Sequence, residues 1–579
     1  MLELSAGLPQ SAVPSPPDTA QPSIMRPNEA ELVAWAESLY EEAAQARKQN
    51  GHDAQWDDWL KGFWGELWPS DLPSFKIPIV ANEMQSLILQ EVSDLTDSPI
   101  SVYVQHDVEQ KSTREEGRER AIRGFWRRQQ IDQKLMLACL DAMILPCGYL
   151  TCTWNPRKLR GLGDVEVSVR HPKTVYPDPD CEDDENMRYI ILRDVMDLVE
   201  IRALWTQGWR VQPEARWSIT LDDPMADRRS GRYRGPIYAP GHGLIAQGWA
   251  KARAAVLTVI IQDDSLIEDV KEITDPMTGE RQLKSNVRRE FPNGRMLQVS
   301  GGVVLYDGPL PYWGPWPLIR ITMLPAIHSF FPRQSPASQV IEIQRASNKL
   351  ESQVVENAIR LNNGVIIADT TSGVSPSTYA GIPGQPILKN PNGSVTISYP
   401  PPMPADMVNA GDRLRGVMRE LMGFPPSRLG QGQRGNVSAE LTETEISQSM
   451  SISRLRGRML FHAAQNLVDM IFARMAQFYT YRRVLPYVTG SDFQTQMWEP
   501  MTEQEYFCHS VHLDPSSFEV RSRNMMQRLY LTLAKMGKIP DQDLLTTLEI
   551  PNAAAIGARL KEQLVLAAQA KGHMNPEKK

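Results

Sequence analysis

The first residues to test for chemistry lie at 429–445, LGQGQRGNVSAELTETE. Gly430, Gly432 and Gly435 spell G-x-G-x-x-G, the spacing with which a tight turn brings backbone amides against a dinucleotide pyrophosphate. That chemistry needs a buried strand ahead of the first glycine and an acidic side chain about 20 residues past the last. Here the approach is GFPPSRL, with Pro425 and Pro426 where the strand should run. Leu455 occupies the position expected of the acid, and nothing acidic occurs from Ile446 to Val468. The fingerprint fails both tests. The glycines read instead as a mobile loop between two helices, able to lie close to a partner. A nucleotide-dependent enzyme built on Gly430–Gly435 stands as the alternative.

Other constellations are weaker. There is no G-x-x-x-x-G-K-[ST], and no histidine begins H-E-x-x-H. In DPDCEDDE (178–185) the sixth and twelfth positions of a calcium loop hold Asp183 and Tyr189, where glycine and glutamate are required. A solvated acidic turn is expected there. Cys147 and Cys152 have four residues between them, wider than zinc pairs, and Cys152 alternates with Leu150 and Trp154 as a buried strand residue would. CHSVH (508–512) places Cys508 and His512 either beside a metal or on an ordinary strand, and the sequence leaves that open. No catalytic residue, metal ligand or cofactor is assigned.

The elements that must position the glycine loop come next. The chain has 579 residues, 41% hydrophobic and 23% charged, enough for several cores. Its net charge of −7 excludes tight static DNA binding by the whole surface, because such affinity comes from neutralising phosphates, but leaves transit open. Five cysteines without a disulfide framework point to a reducing compartment. The N-terminus lacks the pattern of a signal peptide, and the longest apolar run, AAVLTVII (254–261), is too short to span a bilayer. A soluble, intracellularly made protein is expected.

Residues 1–28 read as a disordered tail, followed by a helix from Glu29. Trp56, Trp59, Trp64 and Trp68 form a core or interface stripe. Segment 77–105 reads as helix, turn and strand, 113–130 as a helix with a solvated charged face, 132–145 as a buried helix, and 148–156 and 163–172 as strands. The stretch 205–242 reads as loop-rich, and β structure resumes at 254–261 and 291–309 with turns at Asn293-Gly294 and Gly301-Gly302. Ser335 and Pro336 then open a long helix carrying Val340, Ile343, Leu350, Val354 and Leu361 on one narrow stripe. Short strands at 364–402 precede a second helix, 404–422, stopped by Gly423. After the glycine loop a very long helix fits 438–482, polar in its first third, with Ile452, Leu455, Met459, Leu467, Met470, Ile471 and Phe478 facing the core. Strands near 484–520 and helices at 521–537, 541–549 and 553–571 complete the chain. The fold class is α+β.

This order of parts resembles the portal (head–tail connector) protein of tailed bacteriophages over about residues 55–560. The resemblance rests on FWGELWPSDLPSFKIPIVANEMQSLILQEVSDLTDSPISVYV, on GYLTCTWNP with GDVEVSVRHPKTVYPDPD, and on FPNGRMLQVSGGVVLYDGPLPYW. It also rests on SPASQVIEIQRASNKLESQVVENAI and MRELMGFPPSRLG, which are similar to two stem helices and their exit. The resemblance implies a wing at 29–330, stem helices at 331–363 and 403–422, and a β-rich clip at 364–402. It further implies a tunnel loop at 423–437, a tunnel helix at 438–483, strands returning to the wing at 484–520 and a helical crown and tail at 521–579.

Its functional implications are equally specific. It implies a homo-oligomeric ring of twelve at one capsid vertex of the virion, assembled in the host cytoplasm. Double-stranded DNA crosses the ring during packaging and ejection without being read for sequence. The implied partners are the terminase large subunit, the major capsid and scaffolding proteins and tail adaptor proteins, with no membrane, no cofactor and no enzymatic step. Another virion neck or tail component is a further alternative, although such parts are often mostly β. Gln431, Gln433, Arg434, Asn436, Glu440 and Glu443 are expected to line the channel. Glu445 would add to an acidic ring and Arg428 to a basic one, while Arg434 either faces DNA or pairs with one of these glutamates.

Overall fold

A computed structural model describes residues 28–69, 71–73, 76–97, 102–106, 113–184, 186–214, 216–217, 219–220, 249–274, 281–314, 316–327, 329–362, 365–374, 389–399, 401–402, 404–424, 450–481, 483–489, 492–513, 532 and 536. It is a mixture of helices and antiparallel strands, as the α+β reading requires. The chain divides into two units, one of 1–41, 193–259 and 297–308, the other of 42–192, 260–296 and 309–579.

The first unit is built on residues 303–308, 297–300, 253–259 and 193–197, neighbouring stretches, in that order, of the strands Val303–Pro309, Arg295–Ser300, Arg253–Ile261 and Tyr189–Asp197. Gly301 and Gly302, at φ 52° and 77°, make the tight turn between the first two, a conformation that side chains with a Cβ resist. The helix Leu198–Leu204 covers a small core of Leu198, Ile201, Val211, Ala254, Val256, Val303 and Leu305. Glu29 ties the chain's start into this unit through Arg210 (2.9 Å) and the amide of Val304 (3.3 Å).

The second unit holds the large core. A three-stranded antiparallel sheet, in the order Leu318–Ile321, Gly148–Asn155, Asp164–Arg170, packs against the helices Ile131–Ile144 and Ser451–Phe478. Close approach is written into the sequence at Gly148, where a Cβ would run into the carbonyl of Ala138. Cys139, Cys147 and Cys152 are wholly buried, and burial pushes each thiol up to about 12. The strand reading of Cys152 therefore holds. Trp154 stacks on Phe478 with centroids 4.8 Å apart. Three further antiparallel pairs are Val102–His106 with His509–Leu513, Leu266–Thr274 with Arg281–Arg289, and Arg483–Thr489 with Asp492–Trp498.

Several expectations need correction. The helix Thr113–Arg128 does not turn all its charge to solvent: Glu115, Arg118 and Glu119 are buried. Arg118 there pairs with Glu505 (2.9 Å) and meets the His509 ring, and Glu119 accepts the amide of Val104. Burial is tolerated because each charge finds a partner. The acidic turn is likewise only partly solvated. Asp178 is buried and receives Arg188 at 2.8 Å, while Asp180 stays exposed. Trp56 and Trp59 are core residues, but Trp64 is 67% exposed. The Leu266–Arg289 hairpin was not anticipated, because its strands carry charged residues instead of alternating apolar ones.

Candidate functional site: two helices, the ribbon between them and the ends of the glycine loop

The helix Pro336–Asn362 starts where the sequence says it must. Ser335 and Ser338 cap each other, Ser338 N donating to Ser335 Oγ (3.1 Å) and Ser335 N to Ser338 Oγ (3.0 Å). What it buries is unexpected. Val340 is buried, but Ile343, Leu350, Val354 and Leu361 of the expected stripe are only partly covered. The buried side chains further along are polar: Gln344, Ser347, Asn348 and Ser352.

These polar groups do specific work. Gln344 Oε1 accepts the amides of Glu83 and Met84 at 3.2 Å, and Asn348 Oδ1 accepts that of Ala81 at 3.2 Å. Ser352 Oγ accepts that of Ile79 at 3.1 Å, and Glu356 Oε1 that of Ile77 at 3.4 Å. Acceptors four residues apart on the helix thus meet every second amide of 77–83. Four helical residues rise about 6.0 Å and two extended residues about 6.7 Å, so the spacings nearly match. The face works as a substitute strand edge made of side chains.

The helix Ala405–Met422 packs beside it. Arg415 pairs with Glu351, and Arg419 donates to Glu83 Oε1 at 2.7 Å. Its outer side exposes Met407, Val417 and Leu421. Between the two helices, Val365–Ala368 and Val395–Ser398 form an antiparallel ribbon. Asp369 holds its base by accepting the amide of Ser394 at 3.1 Å. Ile367, Ile397 and Tyr399 are exposed on it.

Gln431, Gln433, Arg434, Asn436, Glu440 and Glu443, together with Arg428, Glu445 and the three glycines of the motif, lie outside the described residues, as do 521–531, 537–579 and the 1–27 tail. The flanks of the glycine loop are described. Gly423, at φ 85°, ends the preceding helix: its amide donates to the Glu420 carbonyl (3.0 Å), that of Phe424 donates to the Arg419 carbonyl (2.7 Å), and the Phe424 ring is buried. Beyond the loop, the helix Ser451–Phe478 begins after Met450.

Sequence reasoning missed the group that joins these flanks. Glu91, on the helix Glu83–Thr96, accepts Ser453 Oγ at 3.0 Å and Arg456 Nη1 at 3.2 Å. Arg456 Nη1 also donates to the Met422 carbonyl at 3.3 Å. Glu91 and Arg456 are essentially inaccessible to water (0% and 1%). The described segments on either side of 425–449 are therefore joined through one buried ion pair. A signal was present: Glu91 stands among Leu87, Ile88, Val92 and Leu95, and Arg456 on the side of its helix that carries Leu460 and Leu467. Ile452 and Leu455, expected in the core, are exposed instead. Among the described residues no group of three His, Cys, Asp or Glu is arranged to hold a metal, Cys508 being exposed, and no helix is long and apolar enough to cross a membrane.

The site can therefore hold a loop by both ends and present helices and a ribbon laterally. A family model described as "Phage P22-like portal protein" matches residues 29–578. No curated protein matches the chain.

Proposed function

The chain belongs to the P22-like phage portal protein family, and we propose that it serves as a phage portal, as one subunit of a closed ring. The carrying observation is the half-covered apolar stripe of the helix Pro336–Asn362, which sits beside a second helix with Met407, Val417 and Leu421 outward. A narrow stripe left open along two parallel rods is satisfied by lateral packing on copies of the same rods, and a head-to-tail contact repeated by rotation closes into a ring. The ribbon Val365–Ala368/Val395–Ser398, with Ile367 and Tyr399 exposed, suits a docking platform for the terminase large subunit and tail adaptors. This gives the stretches 331–363, 364–402 and 403–422 their roles as stem, clip and stem.

Residues 423–437 are then the tunnel loop, with Gln431, Gln433, Arg434 and Asn436 nearest the DNA and Glu440 and Glu443 behind them. Short polar side chains on a glycine-rich backbone touch phosphates without reading bases. The buried Glu91–Arg456 pair supports this reading, because a loop that meets a moving polymer needs fixed ends. The ring sits at the capsid vertex, contacts capsid and scaffolding proteins, and is a structural part rather than an enzyme. Mass measurement in solution with negative-stain imaging tests it. Twelve copies of 65.3 kDa give a ring of roughly 780 kDa with a central hole. A stable monomer or dimer without a hole overturns the proposal.

A further inference from the structure

A cavity of about 670 Å³ lies over the strand His509–Leu513, walled by Phe461, Asp469, Phe472 and Tyr506. One edge of that strand pairs with Val102–His106. The other is closed by Gln465, whose Nε2 donates to the Val511 carbonyl (2.6 Å) and whose Oε1 accepts the Leu513 amide (2.8 Å). Backbone pairing is therefore already satisfied, and what the cavity offers a ligand is side-chain chemistry: the rings of Phe461, Phe472 and Tyr506 and the imidazoles of His509 and His512 around one carboxyl group. Asp469 takes hydrogen bonds from Gln465 Nε2 at 3.1 Å, and burial pushes its carboxyl above the ordinary range, with His512 opposing that shift. No Lys or Arg among the described residues pairs with it. An acid among aromatic rings is a receptor for a cation carried on an apolar surface.

The same chain carries such a surface. In the hairpin Leu266–Thr274/Arg281–Arg289, Arg289 stands opposite Leu266 and Val287 opposite Glu268, so Leu266, Glu268, Val287 and Arg289 share one face, with Leu266 and Arg289 side by side at its end. Leu266 is 61% and Val287 52% exposed, unusual for apolar side chains on adjacent strands. Among the described residues, Arg289 meets the exposed Asp264, at 3.4 Å. The strand RQLKSNVRR bears four cations and no acid.

We propose that the Leu266/Val287/Arg289 face of one copy docks into the Phe461/Asp469/Phe472/Tyr506 cavity of a second copy, Arg289 pairing with Asp469. The contact rests on the ring reading above and names one of its subunit junctions. Its chemistry is complementary on both counts, apolar face to aromatic wall and guanidinium to carboxylate.

A charge swap in the full-length protein tests it. Asp469→Arg and Arg289→Asp should each raise the concentration at which oligomers dissociate by about tenfold or more, and the double variant should recover much of the loss. Asp469→Asn, which preserves shape, should weaken assembly while leaving the subunit's melting temperature nearly unchanged. With Cys508→Ser as background, oxidising the pair Val287→Cys and His512→Cys should give chain-to-chain crosslinks. Wild-type rings together with single variants that assemble normally, or a double variant no better than the singles, would overturn this junction and leave the ring reading intact. Crosslinks confined to single chains would also overturn it. Failure of the wild type itself to assemble would overturn the ring reading and the junction together.

Discussion

The helices Pro336–Asn362 and Ser451–Phe478 are nearly equal in length, 27 and 28 residues, yet past Ile341 the first buries only polar side chains while past Gly457 the second buries, Arg474 apart, only apolar ones. The first hides Gln344, Asn348 and Ser352 and leaves Leu350, Val354 and Leu361 partly open. From Leu460 onward the second hides Leu467, Val468, Met470, Ile471 and Phe472. A helix that is apolar on most sides is core in any assembly state. A helix that spends its polar side on its own subunit and keeps its apolar side available is unfinished until another chain arrives. The difference separates stability of the subunit from stability of the assembly, two quantities that substitutions can address independently.

The largest expected effect falls where the two helices' neighbourhoods meet. Arg456→Ala strands Glu91 without its counter-charge and frees the Met422 carbonyl, and should cost the subunit about 3–5 kcal/mol in chemical denaturation. Replacing both partners by methionine should restore most of that loss. If Arg456→Ala alone proves neutral, the buried pair does not anchor the loop's ends.

The comparison itself is broken most directly by one substitution in each helix. Leu467→Ala should lower subunit stability by about 3 kcal/mol, because the side chain is wholly buried and leaves a cavity. Leu350→Ala should cost the isolated subunit less than about 1 kcal/mol and act instead on assembly, raising the concentration needed for oligomers. Equal losses of subunit stability at the two sites would erase the distinction.

A smaller effect sharpens it in a third helix. Ile131–Ile144 buries Ala138, Cys139 and Ala142 but exposes Met136 and Leu137, and burial pushes its Asp141 carboxyl up to about 6. The folded state holds this proton above the pH at which the unfolded chain releases it. Stability should thus fall as pH rises from about 4 through 6 and stay reduced above. Asp141→Asn should add about 1–2 kcal/mol at pH 8 and little at pH 4, read from melting curves of the subunit.

Much of this organisation is legible in the sequence because it follows local rules. Ser335-Pro336 opens a helix, Gly423 closes one, and Gly301-Gly302 turns a hairpin, each for a reason carried by the residue itself. The family resemblance can be read from the order of such elements over about 55–560, and the family match, 29–578, contains that span. What could not be read is pairing between distant residues. Nothing near Arg456 announces Glu91, and nothing in 113–130 shows that Arg118 will meet Glu505 and His509. The stripe on 336–362 reads as apolar and as a packing face. Its polar opposite side, which makes more specific contacts, looked like interruption, because Gln, Asn and Ser score as surface unless their partner is known to be backbone. The residues at 431–443 that are proposed to line the channel lie outside the described residues.

The ladder from Gln344 to Glu356 has a consequence for how this stretch of gene can vary. Adding or removing one codon between positions 344 and 356 swings every later acceptor about 100° around the helix and empties its rungs at a stroke. A change of four codons returns each rung to nearly the same bearing and forfeits only the mismatch in side-chain reach, long at Gln344 and Glu356 and short at Ser352. Length drift here is quantised in whole turns, like a rack that accepts a gear only tooth by tooth.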